Sequence, residues 1–273
     1  MAINSQKYII QNIERISAFD ITSGVCDFVV DDLQQAEMTN EQETVYATGK
    51  NGVKIGSADR NKSSKFTATN GAIVDGVLAA QTGTDVEVGK HIVPDYMDIL
   101  TTEDGTTAKT TFVAKGLTGK EIKYLYKKNT DGTLGKSYPI AATASETAFS
   151  YDPATQAITL PTEGFAAKDE IVVFYDIEAD NAKKFVNAEN KFSKTDKVVF
   201  DIFAKDICSE KSYYGKIVYP KGKVAGNFNL AFGNEPSTQN LEIEALSGGC
   251  GTGNSKVLWE MYIFDDTEVT KVS

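Results

Sequence analysis

The stretch Lys197-Val198-Val199-Phe200-Asp201-Ile202-Phe203-Ala204 decides the fold class. Val198, Phe200 and Ile202 fall on one side of an extended chain, because successive side chains in a strand point to opposite faces. The same two-residue period recurs on both sides of it. Leu241, Ile243 and Ala245 alternate with Glu242 and Glu244, and Phe228, Leu230 and Phe232 alternate with Asn227, Asn229 and Ala231. Val257, Trp259, Met261 and Ile263 give one face of a last long strand. Upstream, Ile122, Tyr124 and Tyr126 alternate and run into an Asn129-Thr130-Asp131-Gly132 turn. Ala157 to Leu160 and Glu170 to Tyr175 are shorter β-rich runs bounded by Pro and Gly. Period-2 runs separated by turn chemistry predict a mainly β chain, with antiparallel strands folded into a sandwich or barrel.

One segment breaks the period. From Asn70 to Thr82, Ile73 and Val77 are four apart, as are Val74 and Leu78. That stripe predicts one flanking helix over about 70–82, with Asn70 as N-cap and Gly83 as its stop. Gly76 weakens it. Asp180 to Asn190 offers a second, poorer helical pattern. The 273 residues read as a single domain, 1–273, and the Thr-, Ala-, Gly- and Lys-rich stretch 106–178 could form a β-rich subdomain inserted in it.

Composition narrows the function. Lys and Arg number 28 against 38 Asp and Glu, a net charge of −10. A polyanion is held by Lys and Arg that displace its counterions, so the chain as a whole is a poor tight binder of nucleic acid. The longest apolar run, Ile171-Val172-Val173-Phe174-Tyr175, is far short of the ~20 residues of a membrane-spanning helix. The N-terminal residues show no secretory h-region, and three widely spaced cysteines (Cys26, Cys208, Cys250) form no disulfide framework. These features predict a soluble product of a reducing cytoplasm.

No catalytic constellation emerges. The glycines from Gly248 to Gly253 lack the Lys-Ser/Thr ending of a phosphate loop and lie between strand patterns. Cys208 and Cys250 read as buried apolar thiols rather than metal ligands, and the single histidine, His91, reads as a strand-end residue without a partner. Carboxylate pairs such as Asp265 with Asp266 carry no cleft geometry. No metal or cofactor site is expected.

Charge patterning is more informative. Asp27 to Glu43 holds six acids (Asp27, Asp31, Asp32, Glu37, Glu41, Glu43) and no base. Lys50 to Lys65 holds five bases (Lys50, Lys54, Arg60, Lys62, Lys65) and one acid, Asp59. Such blocks can pair within one hairpin, or head-to-tail between identical subunits, since a heterologous contact needs two different complementary patches. Glu242 and Glu244 share a strand face that is either the solvated side of a sheet or the lining of a channel.

Several strings then resemble a family. Ala18-Phe19-Asp20-Ile21-Thr22, the run Asp27-Phe28-Val29-Val30-Asp31-Asp32-Leu33 and Thr48-Gly49-Lys50-Asn51-Gly52-Val53-Lys54-Ile55 are similar to the N-terminal part of major tail tube proteins of tailed bacteriophages. Asn70 to Gly83 resembles that family's helix. Gly226-Asn227-Phe228-Asn229-Leu230, Glu244-Ala245-Leu246 and Leu258-Trp259 resemble its closing strands. The resemblance covers about residues 10–105 and 195–265, and it implies a β-sandwich or barrel protomer with no catalytic residues. It also implies rings, usually hexameric, stacked into a hollow virion tail that is assembled in the host cytoplasm and through which double-stranded DNA leaves without tight binding. Partners would be further copies of the chain and other tail proteins, with no membrane insertion. In that setting the acidic 27–43 and basic 50–65 blocks become inter-subunit surfaces and Glu242 and Glu244 lumen-facing acids. The competing readings are another virion structural protein (capsid decoration or baseplate), a β-sandwich cell-surface binding module, which predicts a stable monomer with a ligand pocket, and, last, an enzyme acting on sugar or acid-tolerant substrates, which needs a cleft with perturbed carboxylates.

Overall fold

The computed structural model describes residues 7–230, 233–234, 236–247 and 256–265. Phe232, Cys250, Asp266 and the Gly248–Gly253 cluster lie outside the described residues. The chain divides into two compact units, one built from residues 1–86 and 185–273 and the other from 87–184.

The first unit is one antiparallel sheet around one core. Its strands are β1 (Tyr8–Asp20), β2 (Cys26–Val30), β3 (Leu33–Thr48), β4 (Lys54–Asn70), and then, later in the sequence than the second unit, β12 (Thr195–Asp206), β13 (Ser212–Val224), β14 (Gln239–Ala245) and β15 (Glu260–Phe264). The strand order is β2-β1-β12-β13-β14-β4-β3, with β15 also paired to β13. Ile16 and Ala18 of β1, Val198, Phe200 and Ile202 of β12, and Leu241, Ile243 and Ala245 of β14 are all buried. The inward rows read from the sequence are therefore the core. The sheet curls strongly: Phe66 of β4 meets Phe200 of β12 at 4.4 Å between ring centroids although two strands separate them. The described strands form a sandwich-like arrangement and do not close into a barrel, since β2 and β3 remain at opposite ends of the order.

The helix α1 (Asp75–Thr82) closes one side of this core with Val77 and Ala80. Burying Val77 alone is worth about 1.5–3 kcal/mol. The helix starts later than the sequence predicts. Asn70 is the last residue of β4, and its side chain donates to the Ala72 carbonyl, so Val74 rather than Asn70 is the N-cap. The stop is as expected: Gly83 turns left-handed at φ 69° and its N–H reaches the Ala79 carbonyl at 2.8 Å. Gly76 is explained by packing. A Cβ there would lie 2.5 Å from the Asp27 carbonyl oxygen on β2, so only glycine lets helix and strand approach.

The second unit has two sheets around its own core. One contains β5 (Glu87–Leu100), β11 (Glu170–Lys184), β7 (Ile122–Lys128) and β8 (Leu134–Tyr138), in that order; the other contains β6 (Thr107–Lys109), β10 (Ala157–Thr159) and β9 (Ser150–Asp152). Ile122, Leu125, Phe149, Ile158, Ile171 and Val173 fill the space they share.

Four expectations need correction. Asp180–Lys184 is the end of β11, paired with β5 as far as Lys184↔Glu87, and Phe185 to Asn190 is not helical. A register shift between Ala179 and Ala182 breaks the two-residue period and mimics helical spacing. Tyr124 is exposed while Ile122 and Leu125 are buried, because a register shift between the Phe174 and Tyr175 pairings moves the inward row by one. Phe228 and Leu230 lie outside any strand. The last strand is only Glu260–Phe264, with Met261 and Tyr262 exposed.

Candidate functional site

The feature that stands out is a long two-stranded ribbon. β3 and β4 pair antiparallel from Leu33↔Asn70 to Thr48↔Lys54. At its base Phe66, Ala68 and Ser64 are buried and Met38 packs on the core. Beyond that, from Thr39 to Lys62, every residue except Gly49 is exposed. A short 3-10 turn at Lys50–Gly52 reverses the chain, with Asn51 at φ 64° and Gly52 at φ 75°, closed by Gly49 N–H to the Val53 carbonyl at 2.7 Å. Turn chemistry of this kind requires residues that tolerate positive φ, which Asn and Gly supply.

The acidic and basic blocks run along this ribbon, and some of their charges meet within the chain. Arg60 donates to Glu43 at 2.6 Å, and Asn61 donates to its other oxygen. These bonds hold the Glu43 carboxyl below the usual carboxylate range. Lys54 lies 3.6 Å from the centroid of the Tyr46 ring on the opposite strand. Lys65 pairs with Glu242 of β14 at 2.8 Å, and Asp27 on β2 pairs with Lys194 at 3.0 Å. The Arg60–Glu43 and Lys54–Tyr46 contacts are internal to the hairpin, whereas Lys65 and Asp27 find their partners outside it. Asp31, Asp32, Glu41, Lys50 and Lys62 are exposed and have no ion pair among the described residues. Glu244 is exposed on the outward face of β14, beside the half-buried Glu242.

Of the unpaired charges, Glu41 and Lys62 lie midway along the ribbon and the others at its ends. Asp31 and Asp32 sit in the corner just before β3, and Lys50 in the turn just after it. At about 3.3 Å per residue, a strand of 16 residues separates them by about 50 Å. Unlike charges thus mark the two ends of one rod.

Sequence reasoning missed the apolar side chains near the tip. Val53 and Ile55 are 60% and 70% exposed, and Val45 and Tyr46 on the facing strand are also exposed. Their two-residue spacing reads like any half-buried strand; only the absence of a covering layer distinguishes them. β3 also pairs on one side only among the described residues, which leaves an open row of backbone donors and acceptors along it.

The residues considered for chemistry are scattered. His91 lies within β5, opposite Ala179, rather than at a strand end. Cys208, expected to be a buried thiol, is exposed in a turn held by Asp206, and Cys26 is exposed as well. Asp265 pairs with Lys211. No helix among the described residues is long and apolar enough to cross a membrane. In comparison with known proteins, residues 8–259 match the model of the YomU/Tube protein family. No curated protein matches the chain.

Proposed function

We propose a role that proceeds from one premise: the chain belongs to the YomU/Tube protein family, a phage tail tube family. In this role the chain is a structural subunit without catalytic function. It polymerises into stacked rings, of hexameric type, that form the hollow tail of the virion and let double-stranded DNA leave through the lumen. The observation that carries this reading is the β3–β4 ribbon. An isolated two-stranded ribbon with apolar side chains bare at its tip is marginal in water. A neighbouring copy that covers Val53 and Ile55 supplies the missing layer. The open edge of β3 offers a second copy a strand to pair with.

Polarity along the ribbon suits head-to-tail addition. The acidic corner at Asp31 and Asp32 of one copy meets the basic turn at Lys50 and Lys54 of the next, a heterologous contact that propagates instead of closing on itself. Glu244, together with the net charge of −10, favours a lining that repels phosphate; Glu242 contributes less, since Lys65 neutralises it.

The test is a charge swap. Arg60 is unsuitable because its loss breaks the ribbon's own pair with Glu43. Lys50→Glu with Lys54→Glu should abolish polymers seen by negative-stain microscopy at moderate salt while circular dichroism of the monomer stays unchanged. Adding Asp31→Lys and Asp32→Lys to the same chain should restore them. Tubes of ordinary length from the first variant would sink the assignment of this contact.

A further inference from the structure

The inward row of β12 runs through Val198, Phe200, Ile202 and Ala204, all buried. Followed two residues back, the same row reaches Asp196. This carboxylate occupies a core position: it is 1% exposed, and neither Oδ1 nor Oδ2 has a hydrogen-bond partner. The inward row of β1, Ile16 and Ala18, ends in the same way on Asp20, the register partner of Asp196. A third carboxylate joins them through a bulge. Ala18 pairs with Phe28 while Phe19 pairs with Cys26, so Asp27 is the extra residue and its side chain is re-aimed. One oxygen from each of Asp20, Asp27 and Asp196 lies within 4.8 Å of the other two.

Like charges set opposite one another in a sheet destabilise it, and a buried carboxylate without a partner is costlier still. Local compensation is incomplete. Lys194 reaches Asp27 at 3.0 Å and Asp85 at 3.2 Å, and it makes no hydrogen bond to Asp196. Asp27 Oδ2 is itself buried without a partner. Asp20 is held in place by its own turn, with Oδ1 accepting the backbone N–H groups of Thr22 and Ser23 and the Ser23 hydroxyl.

The spacing fits an ion. Oxygens bound to one Ca²⁺ at about 2.3–2.6 Å can be no more than roughly 4.6–5.2 Å apart. The ligand set is all carboxylate, without sulfur or imidazole, which suits a hard cation rather than a transition metal. Asp20 and Asp27 are partly open to solvent, so water can complete the shell. We propose that Asp20, Asp27 and Asp196 form a divalent-cation site, suited to Ca²⁺, that ties the β1–β2 hairpin to the start of β12. The site is independent of the ribbon contacts.

The experiment uses the full chain, stripped with EDTA and dialysed at pH 7. Calorimetry with Ca²⁺ should show saturable binding of one ion per chain. Thermal unfolding should shift upward by about 5 °C or more at a hundredfold excess over the dissociation constant. Asp196→Asn should remove both responses and still show the circular dichroism of a folded chain. No heat and no shift with millimolar Ca²⁺, Mg²⁺ or Mn²⁺ on the folded wild type overturns the proposal, as does Ca²⁺ binding undiminished in Asp196→Asn. A proton is the rival occupant, because burial and the neighbouring Asp27 push the Asp196 carboxyl up to about 6. Stability that rises from pH 7 to pH 5.5 and ignores Ca²⁺ identifies the proton and also overturns the cation.

Discussion

Asp201 shows how one residue organises a solvent-facing row. It stands between Arg15 on β1 and Lys216 on β13, its register partners on either side. Both Nε and Nη2 of Arg15 donate to Oδ2, at 2.9 and 2.6 Å, and Lys216 donates to Oδ1. Burial raises the carboxyl's pKa, but the two cations outweigh it, and the net shift is downward. A carboxylate with a folded pKa below its unfolded value stabilises the fold above the unfolded value and loses that contribution as pH falls through the folded one. Asp201→Asn should therefore cost about 1 kcal/mol at pH 7, a modest figure because Arg15 and Lys216 are half exposed. The difference from wild type should shrink toward zero as pH is lowered from 4 to 3, measured by urea unfolding at each pH. An equal difference at pH 3 and pH 7 would assign the effect to packing instead. Asp196 teaches the opposite lesson. Its inward position is implied by counting back from Val198, yet an aspartate at the head of a strand reads as the end of a core row, and nothing local announces Asp20 and Asp27 beside it.

At the scale of elements, the alternation was legible and the register was not. Val198–Phe200–Ile202 and Leu241–Ile243–Ala245 follow from period alone, because their strands pair without interruption along those residues. Ile122–Tyr124–Tyr126 and Asp180–Asn190 misled because bulges add a residue to one strand, which a single sequence does not mark. The helix stop was legible from Gly83, but its start was not, since β4 carries the chain through Asn70 by pairing with both Leu33 and Gln239. In the ribbon, the opposite charge of the two blocks was visible; which charges are satisfied within the hairpin depends on cross-strand register. On the proposed assembly, the ribbon would separate folding from polymerisation. Its outer part contributes nothing to the core, so replacing Glu41–Ser63 with a two-residue Asn-Gly turn keeps the Asn40↔Ser64 pair and every core residue. The shortened chain should unfold within about 3 °C of wild type by calorimetry. It should sediment as a monomer at concentrations where the wild type polymerises. Polymers of the shortened chain would move the assembly contact off the ribbon.

At the scale of the whole molecule, connectivity predicts separability. The second unit is entered at Glu87 and left at Lys184, and these two residues are register partners on neighbouring antiparallel strands. Partners in such a ladder have Cα atoms only about 4.5–5.5 Å apart. Residues 87–184 can therefore be lifted out and Val86 joined to Phe185 through a short linker. Each unit has its own buried cluster, Ile122, Leu125, Phe149 and Ile171 in one and Ile16, Phe66, Phe200 and Ile243 in the other. A unit of roughly 100 residues with a core of its own is of a size that folds independently. The excised segment 87–184 is expected to unfold in a single cooperative denaturant transition. The chain lacking it should retain strand-type circular dichroism and still form polymers, because β3, β4 and the charged corner all belong to the other unit. If the deleted chain folds but no longer polymerises, the contacts that build the tube include the inserted unit, and the ribbon alone is not sufficient for assembly.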